Sequence, residues 1–151
     1  MITPAFTPDE VQTAEPTRAA RLKWVIVVAD DAPLGRMANA VACIAASTGA
    51  AISGLVAQGG PDAAASAHEG LPWAGCTVLT ASSAQLLELR TKAAASDTIW
   101  VADMPVAAQT NRVYDDYLAE LATLEQPELV AASFVGARNA VDRLVKRLDL
   151  L

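Results

Sequence analysis

The feature that most constrains the fold is the run LKWVIVVA, which spans residues 22–29. Apart from its lysine the run is apolar, and most of its side chains are β-branched or aromatic. This pattern favours a strand buried on both faces of a mainly parallel sheet. The segment DDAPLG follows, and then RMANAVACIAAST, in which Met37, Val41 and Ile44 have helical spacing. We therefore expect a central strand, a tight loop and a helix, in that order.

Strand and helix patterns alternate along the rest of the chain. The segments CTVLTA, DTIWVADM and ELVAASFVG predict further strands, and a short one is possible near residues 52–57. The segments AQLLELRTKAAA, TNRVYDDYLAELATLE and ARNAVDRLVKRLDLL predict helices. This alternation predicts an α/β fold, a three-layer α/β/α sandwich with a mixed, mostly parallel sheet of about four strands.

The chain length favours one folded unit. A chain of 151 residues with 53% hydrophobic content can build one well-packed core but is short for two domains. Residues 1–21 are rich in Thr, Pro and acidic side chains, which favours an N-terminal arm that is flexible or forms a short helix. We expect residues 22–151 to form a single domain.

The composition also limits the partners of the chain. Its formal charge is −6, with 11 basic and 17 acidic residues. The average surface therefore repels phosphate, and we do not expect nucleic acid as a partner. Hydrophobic residues make up 53% of the chain and charged residues only 19%, which suggests more apolar surface than a monomer can bury and favours a homodimer.

Neither a metal nor a cofactor is expected. Two cysteines and one histidine cannot supply a four-ligand zinc site alone, and the cysteines lack the close spacing of a metal knuckle. Sequence motifs for dinucleotide binding, for a phosphate-binding P-loop and for zinc hydrolases do not occur. The chain also shows no export signal and no membrane-spanning run, so we expect a cytoplasmic protein.

Several polar side chains fall at predicted strand ends. Asp30 and Asp31 follow the first strand, Asp103 ends a later one, and the VGAR turn at 135–138 ends the last. Ligands of open α/β sheets bind outside the carboxyl ends of the strands. If these ends point the same way, the side chains converge on one cleft. The alternative interpretation is that these aspartates cap helices or form turns.

Other candidates lie on the first helix and in a loop. Helical geometry puts Arg36, Asn39 and Cys43 on one side, away from the apolar stripe. Arg36 at the helix start adds charge to exposed N–H groups, a combination suited to an anion or a carbonyl oxygen. This side could also simply be solvated, and Cys43 could be an inert thiol. His68 is either a solvated loop residue or a general base.

Two segments carry a resemblance to a known family. KWVIVVADD, followed by a Gly-Arg-x-Ala-Asn helix start, resembles the first strand and helix of peptidyl-tRNA hydrolase 2, the archaeal and eukaryotic type. IWVADMPVAAQT is similar to the strand of that family that ends in Asp-Ala-Gly-x-Thr-Gln, and LVKRLDLL resembles its C-terminus. More closely, residues 23–151 resemble an uncharacterised bacterial branch of that fold, a family of unknown function. The resemblance implies a peptidyl-tRNA hydrolase 2-like fold, and dimers are known among the related hydrolases.

The resemblance also implies roles for individual residues. Lys23 matches the strand lysine of the family, Asp31 its turn aspartate, and Asp103 its late catalytic aspartate. Arg36 stands in place of a helix lysine, and Ala107 in place of the motif threonine. The hydroxyl of that threonine is thought to help the hydrolase handle its ester, and Ala107 cannot supply one.

Three functions from different classes follow. The first is a small-molecule hydrolase or transferase with Asp103 as base or water-orienting group. Lys23 and Arg36 would stabilise an oxyanion, and Asn39 and Gln109 would position an anionic or acyl-type substrate. The second is genuine peptidyl-tRNA hydrolysis, which we expect to be inefficient because of the acidic surface and Ala107. The third is a non-catalytic binding or regulatory domain that uses the same cleft.

Overall fold

The structure, a computed structural model, describes residues 3–151. Two short 3-10 helices precede the first strand, at Pro8–Glu10 and Thr17–Ala19. The strands are β1 (Leu22–Ala29), β2 (Gly60–Pro61), β3 (Ala67–His68), β4 (Thr77–Ala81), β5 (Ile99–Pro105), β6 (Leu129–Ala137) and β7 (Asp149–Leu150). The helices are α1 (Leu34–Ala51), α2 (Ser83–Ala94), α3 (Val106–Thr110), α4 (Tyr114–Leu121) and α5 (Arg138–Leu144).

The main sheet has the strand order β5-β6-β1-β4-β7, and β2 and β3 form a separate hairpin. The central position of β1 is confirmed. The prediction of a mostly parallel sheet is wrong, because only β1 and β4 pair in parallel and the other three pairings are antiparallel. The sheet also has five strands rather than about four. Strand burial is visible in a sequence, but the direction of a strand depends on how its connections cross the sheet.

The position of β6 decides which strand ends meet. It lies between β1 and β5 and is antiparallel to both. β1, β4 and β5 therefore run in the same direction, and their carboxyl ends lie at the same end of the sheet. The segment 135–138 lies at the opposite end of the sheet, since Gly136 is paired with Lys23 at the start of β1. The expectation that this turn joins the aspartates in one cleft is therefore wrong.

Helices cover both faces of the sheet, as expected. Alternate residues of a strand point to opposite faces, so β1 contributes side chains to two apolar clusters. On one face, α1 packs its Met37, Ala40 and Ile44 against Trp24, Ile26 and Val28. On the other face, α2 and α5 pack Leu86, Leu89 and Val141 against Val25, Val27 and Phe134.

A buried polar network crosses the α1 face. The indole Nε1 of Trp24 donates a hydrogen bond to Ser133 Oγ at 2.8 Å. Thr48 Oγ1 donates to the carbonyl of Ile44 at 2.6 Å and lies 2.8 Å from Ser133 Oγ. Because the single Thr48 hydroxyl proton is directed at Ile44, the Ser133 hydroxyl donates to Thr48. The buried hydroxyls of Ser133 and Thr48 are thus both satisfied.

The N-terminal arm is packed against the sheet domain. Phe6 is buried, its N–H donates to the Ser53 carbonyl at 2.9 Å, and its ring lies 4.9 Å from that of Trp73. Arg138 Nη2 donates to the carbonyls of Thr17 and Ala20 at 3.0 and 3.2 Å. The division of the chain at residue 21 stays a prediction. Across residues 3–151, none of the helices combines the length and apolarity needed to span a bilayer.

Candidate functional site

A cleft of about 360 Å³ lies beside the edge strand β5, between α1 and the segment that begins α4. Its apolar walls include Met104 of β5 and Ile44 of α1. Its polar or reactive residues come from α1, β5, the turn between α3 and α4, and α4: Cys43, Ser47, Asp103, Asn111, Arg112, Tyr114 and Tyr117. We refer to this space as the β5 cleft. It combines an apolar surface with a few polar groups, which is the usual composition of a small-molecule site.

Asp103 lies where the β5 cleft meets a second cavity. Arg90 of α2 donates from Nε to Asp103 Oδ2 at 2.7 Å, and the Asp103 side chain is 20% exposed. The second cavity, of about 310 Å³, is lined by Asp103, Arg90 and Leu121 among others. We call it the α2-side cavity, because Arg90 and Leu87 of α2 form part of its wall. Asp103 therefore borders space on both faces of β5.

Two tyrosines of α4 form the aromatic wall of the β5 cleft. The ring centroids of Tyr114 and Tyr117 lie 5.5 Å apart, with the ring planes at 73° to each other, an edge-to-face pair. Desolvation raises the pKa of the Tyr117 hydroxyl, and the nearby Tyr114 and Asp103 raise it further. The hydroxyl therefore stays protonated at neutral pH and can donate a hydrogen bond to a ligand.

Arg112 is the basic group of the cleft. It is exposed, and no carboxylate among residues 3–151 lies within ion-pair distance of it. The preceding residue, Asn111, donates from Nδ2 to the Ala107 carbonyl at 2.9 Å and to Glu120 Oε2 at 2.7 Å. These bonds fix the turn between α3 and α4. Arg112 thus follows a fixed turn, and its exposed guanidinium is available to an anion.

Three of the sequence-predicted residues meet at a contact between α3 and α1. Gln109 donates from Nε2 to the Arg36 carbonyl at 2.9 Å and to Asn39 Oδ1 at 3.0 Å. Gln109 Oε1 is buried and has no partner among the described residues. Arg36 takes part through its backbone, not through its guanidinium. The cluster joins two helices, and it is separate from the residues that line the β5 cleft.

The other predicted residues lie apart from this cluster. Lys23 is ion-paired with Asp142 of α5. It lies near the start of β1, and at the usual strand rise about 20 Å separates it from Ala29 at the end of that strand, just before the predicted aspartates. Asp31 accepts a hydrogen bond from Ser83 Oγ at 3.1 Å, where α2 begins. His68 lies 3.4 Å from Asp62 in the β2-β3 hairpin. The six predicted site residues thus fall at four different places, and their roles stay predictions.

Four residues of these cavities were not among the predicted site residues: Arg90, Arg112, Tyr114 and Tyr117. The tyrosines were visible within a predicted helix, where positions 114, 117 and 121 share one face. Nothing in the sequence showed that this face would cover the edge of β5. Within residues 3–151, no group of three His, Cys, Asp or Glu side chains is arranged to hold a metal ion.

The comparisons with known proteins identify a family. The family described as "Protein of unknown function (DUF2000)" matches residues 22–151. A solved structure of a protein of unknown function from Agrobacterium tumefaciens is similar with a TM-score of 0.73 and 14% identity. The similarity covers 87% of this chain and 98% of the other. At this identity the likeness concerns the fold alone. A comparison with curated proteins gives no match. The match to residues 22–151 shows that the chain belongs to the DUF2000 family.

Proposed function

We propose that this protein binds a small anionic or acyl-type ligand in the β5 cleft. The observation that carries the proposal is the position of Arg112, which has no carboxylate within ion-pair distance among residues 3–151 and lies at the wall of a space that also offers apolar and aromatic surface. A cationic side chain beside an apolar surface suits a ligand with one apolar part and one negative charge.

The other cleft residues fit the same ligand. Met104, Ile44 and the tyrosine rings offer apolar and aromatic contact to an acyl or aromatic group. The protonated Tyr117 hydroxyl offers a hydrogen bond to a carbonyl oxygen. Asp115 and Asp116 follow in the first turn of α4, and they disfavour ligands with several negative charges. A monocarboxylate with an amide or ester carbonyl meets these requirements.

The position of Asp103 supports a second candidate, hydrolysis of an acyl-type ligand. Asp103 borders the cleft, and a carboxylate at this border could orient a water molecule towards a bound carbonyl carbon. Arg90 already donates a hydrogen bond to one carboxylate oxygen of Asp103. Lys23, the proposed oxyanion-stabilising residue, lies towards the opposite end of the sheet. Binding without turnover is therefore the better-supported function.

N-acetyl-L-phenylalanine is a direct probe, because it carries an acyl group, an aromatic ring and one carboxylate. We expect calorimetry to detect its binding and to show weaker binding of its uncharged C-terminal amide. The Arg112→Gln variant should bind the acid about five- to tenfold more weakly, the usual loss for one exposed charge-assisted contact. Arg147→Gln, an exposed arginine elsewhere on the surface, is the matched control. Equal affinity for the acid and the amide would refute the proposal.

Hydrolysis is tested with O-acetyl-L-phenyllactate, the ester analogue of the phenylalanine probe, which keeps the aromatic ring and the free carboxylate and releases acetate on cleavage. Turnover that saturates with the ester and is lost in Asp103→Asn would establish the second candidate. Ester cleavage that is equal in the wild type and in Asp103→Asn would reject it.

We further propose that the chain cleaves peptidyl-tRNA inefficiently, forms a homodimer and lies in the cytoplasm. The acidic composition and Ala107, which is buried in α3, support inefficient cleavage of peptidyl-tRNA compared with an authentic hydrolase. The high hydrophobic content of 53% against 19% charged residues, together with exposed leucines such as Leu34 and Leu71, supports a homodimer. Light scattering at micromolar concentration tests the dimer, and a monomer mass would reject it. The cytoplasmic location is tested by fractionating the cells that produce the protein.

A further inference from the structure

The outer edge of β5 carries unpaired backbone groups. β5 is the last strand of the sheet and pairs on one side only, with β6. Among residues 3–151, no other element forms a backbone hydrogen bond with residues 99–104. Half of the N–H and C=O groups of such a strand point away from the sheet and can pair with another extended chain.

Space is available on both faces of this edge. The β5 cleft lies on the side of α1, the α2-side cavity lies on the side of α2, and Asp103 borders both. In an extended chain, neighbouring side chains point to opposite faces. A short strand added beside β5 would therefore direct one side chain into each cavity.

The helix α4 crosses this edge without closing it. Tyr114 and Tyr117 line the β5 cleft, and Leu121, one turn or about 6 Å further along the helix, lines the α2-side cavity. No residue of α4 is buried, and Tyr114 is 72% exposed. A helix over an edge strand protects the sheet against aggregation. Because none of its residues is buried, α4 is packed only lightly here, and the two cavities lie beside it on either side of the β5 edge.

We infer that the ligand of the β5 cleft is a short extended peptide with a free C-terminal carboxylate. The peptide pairs with the open edge of β5 beneath α4. Its carboxylate binds Arg112, one apolar side chain fills the β5 cleft, and the next enters the α2-side cavity between Leu121 and Leu129. Backbone pairing supplies affinity and the two cavities supply side-chain preference. This inference rests on the proposed function and specifies its ligand class.

The test uses N-acetyl-Leu-Phe-Leu with a free carboxylate, together with two analogues that are each methylated at one of two adjacent backbone nitrogens. Only every second N–H of an added strand faces β5. One methyl group should therefore weaken binding at least about threefold, the usual value of one backbone hydrogen bond. The methyl group on the adjacent nitrogen should leave the affinity within a factor of about two, because that N–H makes no such bond.

Hydrogen exchange gives an independent readout on the intact protein. The outward-facing amides of residues 99–104 should exchange more slowly when the tripeptide is bound, whereas amides of β4, a strand paired on both sides, should not change. Unchanged exchange along β5, equal effects of the two methyl groups, or tripeptide binding no tighter than N-acetyl-L-phenylalanine would each overturn the inference. If N-acetyl-L-phenylalanine binds and the tripeptide does not, only the inference fails. If neither binds, the proposed function fails with it.

Discussion

Arg90 Nε donates a hydrogen bond to Asp103 Oδ2 at 2.7 Å and so joins α2 to the edge strand β5. The two side chains are 42% and 20% exposed, so solvent screens their attraction in part. We expect a coupling energy of about 0.3–1 kcal/mol in a double-mutant cycle with Arg90→Gln and Asp103→Asn. Urea denaturation of the wild type, both single variants and the double variant measures it. Strictly additive losses would show that the pair does not stabilise this edge.

The buried hydroxyl of Ser133 should be important for stability. Its removal leaves the Trp24 indole N–H and Thr48 Oγ1 without their buried partner. We expect Ser133→Ala to lower the free energy of unfolding by about 1–3 kcal/mol. Ser47→Ala, an exposed position on α1, is the matched control and should change stability by less than about 0.5 kcal/mol. Similar losses in both variants would contradict the assigned network.

Cys43 should report occupancy of the β5 cleft. Its side chain lines that cleft, whereas Cys76 lines a different cavity near Lys23. Packing around the Cys76 sulfur raises the pKa of its thiol to about 12, even though part of the residue is exposed. At about pH 8 we expect iodoacetamide to alkylate Cys43 faster than Cys76.

Mass spectrometry of the alkylated peptides measures both rates in one sample. A bound ligand should slow the alkylation of Cys43 and leave that of Cys76 unchanged. Equal protection of both cysteines would instead indicate a global change in the protein.

The contact between Glu10 and Arg21 should make the stability of the arm pH-dependent. The Arg21 guanidinium and the Thr7 N–H hold the pKa of Glu10 at about 2, below its ordinary value of 4.5. A lowered pKa in the folded state means that the ionised carboxylate stabilises the fold. The stabilisation is fully present above about pH 4.5 and is lost as the pH falls towards 2.

The Glu10→Gln variant tests this dependence. Its urea midpoint should lie below that of the wild type at neutral pH, and the difference should shrink between pH 4.5 and 2. Glu69→Gln, in the exposed segment after β3, serves as the control. A difference that is the same at all pH values would argue against the contact.

The sequence determined the main elements of this fold because their signals are local, but it did not show β7, which lies within a segment whose pattern predicted a helix. The apolar run at residues 22–29 is β1 at the centre of the sheet, and the spacing of Met37, Val41 and Ile44 correctly indicated the core-facing side of α1. Helices on both faces also followed from strands without a polar face. These properties depend on neighbours one to four residues away, which the sequence shows directly.

The tertiary structure alone decided the strand directions and the candidate site. The insertion of β6 between β1 and β5 made the sheet mostly antiparallel and put segment 135–138 at the end of the sheet opposite the carboxyl ends of β1 and β5. The fold also brought Gln109 to Asn39, 70 positions away, and Arg90 to Asp103. Such contacts depend on the path of the whole chain, since many orders and directions of the same strands bury equivalent apolar surface. For that reason the sequence indicated Asp103, but only the fold placed it between two cavities at an open strand edge.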